Sequence, residues 1–192
     1  MSVPTSVGKV VMAGALGAVS IVLILTPLGM IPWFAGASLT TMHVPAIVGA
    51  VLGGPWVGAV TGGIFGVAAL VRASVAPNGP VDPFFVNPLV SVLPRLAFPL
   101  VAWLAFRAFR GKAAAAAAAV AGAVGSLAHS FLVLGALCLL GALPPAAAAG
   151  VFVANGPVEA AAAAVLTAAV VSAWKGVAGA RGRSRLADEE GE

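Results

Sequence analysis

The chain has 192 residues, of which 61% are hydrophobic and 8% charged, and its mean hydropathy is +1.09. A soluble domain carries about a quarter charged residues, so a water-facing globule is excluded and lipid is the solvent. The net charge of +4 does not point to nucleic acid, because Lys and Arg stand mostly at the ends of apolar segments, where basic residues orient membrane helices.

At about 20 residues per crossing, this length admits five or six spans and no separate soluble domain. The fold class is therefore all-α, a polytopic bundle over residues 1–176 followed by a charged tail, 177–192, expected to be disordered. Helix 1 is predicted over 9–27. It is read as a span and not as a signal peptide, because Pro27 and Pro32 separate it from the cleavage-like Ala35-Gly36-Ala37. Its Ala13/Gly17 and Gly14/Ala18 pairs have the small-xxx-small spacing that lets another helix approach, within the bundle or from a partner. Residues 28–38 form a Pro/Gly loop carrying Trp33 and Phe34, which suit a membrane interface or a lid over a ligand.

Helix 2 (39–52) is short for a span, and Gly53-Gly54-Pro55 turns the chain into helix 3 (55–73). Residues 74–86 hold three prolines and form a loop. Helix 4 (87–109) contains Pro94 and Pro99, which predict a kink near Arg95. A short basic loop leads to helix 5 (113–140), which opens on an alanine tract and carries the lone Cys138. Residues 141–152 are a second Pro-containing loop, and helix 6 (153–175) has Pro157 in its first turn. Six crossings put Lys9, Arg107, Arg110, Lys112, Lys175, Arg181, Arg183 and Arg185 on one side and only Arg72 on the other, so both termini are expected in the cytoplasm. The long loops then gather on the outer face, as at a binding mouth.

Ionisable groups inside a span are costly and mark pairs or sites. Arg95 and Glu159 are the two deep ones, and they either pair with each other or face a ligand. Asn155 shares a face with Glu159 and either caps helix 6 or meets an anion or carbonyl with its free N–H groups. His43, on one face with Thr40, is a second candidate contact, and His129 a weaker one. Arg72, sharing a face with Thr61, reads as an interface anchor. Asn78, Asp82, Phe84, Phe85 and Asn87 precede helix 4 and are candidates for the rim. No set of His, Cys and carboxylates has metal spacing, no nucleophile–base–acid set is visible, and no phosphate-cradling loop follows a strand. Neither an enzyme nor a cofactor is expected.

Four stretches carry a resemblance: Thr41-Met42-His43-Val44-Pro45-Ala46-Ile47-Val48-Gly49-Ala50, the Gly54-Pro55-x-x-Gly58-Ala59 turn, Pro94-Arg95, and Asn155-Gly156-Pro157-Val158-Glu159-Ala160. In their order and spacing over residues 9–175 they resemble the substrate-binding (S) subunit of an energy-coupling factor (ECF) vitamin transporter, and most of all its pantothenate-type branch. The resemblance implies high-affinity capture of a vitamin from outside a bacterial cytoplasmic membrane. It also implies assembly with a scaffold membrane subunit and two ATPase subunits, which hydrolyse ATP in its stead. Ala13, Gly14, Gly17 and Ala18 are then the docking face. Arg95 is expected to hold the pantothenate carboxylate, and Asn155, Glu159, Asn87, His43 and Trp33 to complete the site. The competing reading is an ion-coupled secondary carrier, which calls for an acidic residue at mid-membrane and often for internal repeats.

Overall fold

The computed structural model describes residues 6–32, 38–77, 81–111 and 113–189. Helix α1 (Ser6–Leu25) is followed by a turn and a short ribbon of β1 (Met30–Pro32) and β2 (Ser38–Thr40). The strands are antiparallel, with Ile31 opposite Leu39. Then come α2 (Val44–Gly53), α3 (Pro55–Val75), a 3-10 turn (Asp82–Val86), α4 (Pro88–Ser91), α5 (Leu93–Phe109), α6 (Ala114–Leu139) and α7 (Pro145–Glu189).

Among the described residues, five helical segments are long and apolar enough to cross a bilayer: Ser6–Leu25, Pro55–Val75, Pro88–Phe109, Ala114–Leu139 and Pro145–Val177. Their outward side chains are apolar, among them Val11, Val67, Phe131, Val153 and Val165. In water that surface would aggregate; in lipid it is solvated. The protein is a multi-pass membrane protein. Helix α2 is apolar too, but its ten residues make only about 15 Å, half a hydrocarbon core.

The segments run alternately up and down. Ser20 of α1 donates to the Met42 carbonyl at 3.4 Å, and Gly49 of α2 packs against Leu16. Gly58 of α3 meets Pro99 while Gly66 meets Ser91, so α4 and α5 return antiparallel to α3. Gly125 of α6 meets Ala102, and Gly122 meets Ala163 of α7. These glycines set how closely the helices pack. A Cβ on Gly62 would collide with the Arg95 carbonyl, and one on Gly17 would lie 2.6 Å from Ile64 Cδ1. Small residues at such crossings allow the backbone contact on which membrane bundles rely. The core they enclose holds Ala46, Ile47, Phe65, Phe98, Ala121 and Val171.

The elements depart from sequence expectation in four places. The span over 88–109 breaks at Val92, with Pro94 in the first turn of α5, so the discontinuity precedes Arg95 by three residues. Helix α7 opens at Pro145, where proline is tolerated because a first-turn N–H has no helical partner, and Pro157 lies in its interior. Its proline-free C-terminal stretch, in which the helix formers Ala, Arg and Leu outnumber Gly, carries the helix to Glu189. Finally, the approach to α2 is extended and not helical: strand β2 leads into it.

Candidate functional site

A cavity of about 190 Å³ lies where α1 and α3 end, roofed by the ribbon and the 3-10 turn. It is smaller than the ~300–1000 Å³ common for drug-sized ligands, which restricts it to a small molecule. Its wall is largely apolar, with Ile24, Met30, Met42, Phe65, Phe85 and Val133, and its polar groups come from Thr40, Arg72, Asp82, Arg95 and His129.

Arg95, on the first turn of α5, is 5% exposed. One end of its guanidinium donates to the Val90 carbonyl. Its centre lies 5.2 Å from the ring centroids of both Phe65 and Phe85. Aromatic faces attract the cation without neutralising it, and Nε has no hydrogen-bond partner among the described residues. The fork is thus oriented and desolvated, and among the described residues it forms no ion pair. Such a group attracts a planar anion strongly.

Arg72 meets Asp82 at 3.8 Å, joining the end of α3 to the 3-10 turn beside the cavity. The Ser91 hydroxyl donates to the Phe85 carbonyl and ties that turn to α4. Asn87 caps α4, its side-chain oxygen accepting the Leu89 N–H at 3.0 Å.

Glu159 does not pair with Arg95. It accepts the Thr40 N–H at 2.9 Å, the Thr40 hydroxyl at 2.6 Å and the Ser130 hydroxyl at 3.1 Å. The carboxylate therefore pins β2 to α6 and α7, behind the Thr40 wall of the cavity. His43 is fully buried beneath that wall. Its ring stacks on His129, with centroids 5.0 Å apart and planes 12° apart. His129, not His43, reaches the cavity.

The structure thus brings Arg95 to the cavity, Glu159 and His43 just behind it, and Asn87 to the helix start that precedes Arg95. Asn155 is half-buried ten residues inside α7, so the free N–H groups expected beside it lie a few turns away, at Pro145. Trp33 lies outside the described residues. The small residues of α1 divide: Ala13 and Gly17 are buried against α3, with the Ala13 carbonyl accepting from Thr61 Oγ1 at 3.5 Å, whereas Gly14 and Ala18 face outward. Phe65 and Met42 were not singled out from sequence as cavity wall, and Thr40 was named only as sharing a face with His43. An apolar residue carries no signal that separates cavity wall from core.

The family model described as ECF transporter, substrate-specific component, matches residues 8–176. No curated protein matches the chain.

Proposed function

The chain belongs to the family of ECF transporter substrate-specific components, and from that premise we propose that it captures a vitamin or vitamin precursor, pantothenate foremost, at the outer face of a bacterial cytoplasmic membrane. The observation that carries this reading is the buried and oriented guanidinium of Arg95 at a small cavity, with no ion-pair partner among the described residues. It is a receptor for one carboxylate, and pantothenate has one carboxylate, with hydroxyls and an amide for the remaining polar wall. Around it, Glu159 acts through Thr40, Asn87 through the cap of α4, and His43 from behind His129. Asn155 and Trp33 belong to the same ligand set by resemblance.

Six crossings with both termini in the cytoplasm fit the alternating run of segments. Strand β2, extended at about 3.3 Å per residue, and the turn that follows it lengthen the crossing that α2 leaves half made. Lys9, Arg107, Arg110 and Lys175 stand at the end of the bundle opposite the cavity, with Trp56, Trp103 and Trp174, a distribution that favours that end as cytoplasmic. The outward face of α1 through Gly14 and Ala18 suits docking to a scaffold membrane subunit, itself served by two ATPases. The carrier alternative requires a carboxylate available to an ion, whereas both oxygens of Glu159 are engaged by hydroxyl and amide donors.

Calorimetric titration of the purified protein with pantothenate tests the reading. Tight one-to-one binding that falls about 100-fold or more in Arg95→Ala is expected, the loss of a charge-assisted bidentate contact in a desolvated site. Unchanged affinity in that variant would refute the clamp, and tight binding of another vitamin would replace the ligand.

A further inference from the structure

We infer that the ligand is held at two poles, its carboxylate at Arg95 and a neutral hydrogen-bonding group at His129. The inference rests on reading Arg95 as the carboxylate clamp and extends it to the class of acid the site accepts.

His129 projects from α6 into the cavity lining and is 7% exposed. Both of its ring nitrogens are buried without a hydrogen-bond partner among the described residues. Native structures leave few such atoms unpaired, and those that are unpaired call for an explanation. The ring is also fixed. His43 stacks on one face, Phe98 meets it at 75° with centroids 5.0 Å apart, and Phe65 flanks it at 5.7 Å. A ring locked in this way is a pre-oriented group and not a mobile filler. No group of three His, Cys, Asp or Glu residues able to hold a metal ion occurs among the described residues.

The Phe65 ring lies between the two poles, close to Arg95 and to His129. A ligand meeting both therefore passes its apolar middle over that ring. An imidazole offers one donor and one acceptor, which match a hydroxyl, an amide, a ureido group or a ring nitrogen. A second carboxylate would sit among Phe65, Phe98 and Val133 without a cation of its own, and an amine would be repelled by Arg95. The accepted class is thus the small monocarboxylic acid with a neutral polar group at its far end.

The test titrates the full-length protein in detergent with pantothenate, biotin, nicotinate and octanoate, the last a carboxylate with no second polar group. One of the first three is expected to bind at least about 10-fold more tightly than octanoate, the worth of one satisfied polar contact. His129→Phe keeps the ring stack and removes the polar edge. It should abolish that preference by weakening the preferred acid much more than octanoate, and His129→Gln should restore part of it. If thermal unfolding shows that the phenylalanine is not accommodated, His129→Met poses the same question. Pantothenate failing while biotin or nicotinate binds with the same dependence on His129 would remove pantothenate as the ligand and keep the two poles. Octanoate binding as well as the others, a preference that survives in His129→Phe, or no binding by any of the acids would each overturn the inference.

Discussion

Glu159 is a buried carboxylate whose contacts are structural, and it stands behind the Thr40 wall of the cavity. Three donors converge on it, and the nearest approach is the Thr40 hydroxyl at 2.6 Å. Glu159→Gln removes the charge and turns one acceptor into a donor facing other donors. A cost of about 1.5–3 kcal/mol is expected, the range for hydrogen bonds to a charged group, visible as a lower thermal transition in detergent. Ligand affinity should fall less than about 10-fold, since Glu159 acts on the cavity through Thr40. An unchanged transition with a loss of affinity as large as that in Arg95→Ala would instead make Glu159 a direct ligand contact. Arg95→Lys is the complementary case. A lysine keeps the charge but not the planar fork, so most of the affinity gained from the arginine should be lost in titration while the fold persists.

Arg95 and Glu159 stand out in the sequence because charge inside an apolar run demands a reason. Their partners do not, because Thr40 and Glu159 are 119 positions apart, and the stacked His43 and His129 lie on different segments. Pairing of that kind is created by the bundle, and local pattern holds no trace of it.

Among the elements, α1 gives the sharpest contrast. Gly14 and Gly17 look alike in sequence, yet a side chain at Gly17 meets Ile64 and one at Gly14 meets nothing within 4 Å. Gly17→Leu should therefore destabilise the isolated subunit by about 1–3 kcal/mol, as overpacking does. Gly14→Leu should leave folding and ligand binding intact. Copurification with a scaffold and its ATPases should be lost in Gly14→Leu if the outward face docks; retention of the partners would move the docking surface elsewhere. Gly62 is the corresponding point inside the bundle, because its contact is the backbone of Arg95 itself. Gly62→Val should weaken ligand binding along with stability, measured by titration and unfolding of one sample. Helix existence was legible from apolar run length, and the α2–α3 turn from Gly53-Gly54-Pro55. The start of α7 was not, because Pro145 and Pro157 can each occupy a first turn and local rules do not choose between them.

For the whole molecule, the alternating segments make a topological prediction. In a Cys138→Ser background, a cysteine at Ala113 should react with an impermeant thiol reagent only from the cytoplasmic side. One at Pro77 should react only from outside. The reversed pattern, Pro77 reacting from the cytoplasmic side and Ala113 from outside, would break the six-crossing reading with a cytoplasmic N-terminus and make α2 a re-entrant segment.

The cavity wall is shared with the lipid-facing surface. Ile24 and Arg72 line the cavity, and the same two residues line an open apolar groove of about 720 Å³ between α1 and α3 on the outer surface. The partition between the polar ligand and the hydrocarbon phase is one side chain thick at that point. Whatever chain fills the groove, acyl tail or detergent, presses on the wall of the proposed binding site. The dissociation constant is therefore a joint property of the protein and its surrounding amphiphile, and it should shift as the lipid chains are lengthened or branched.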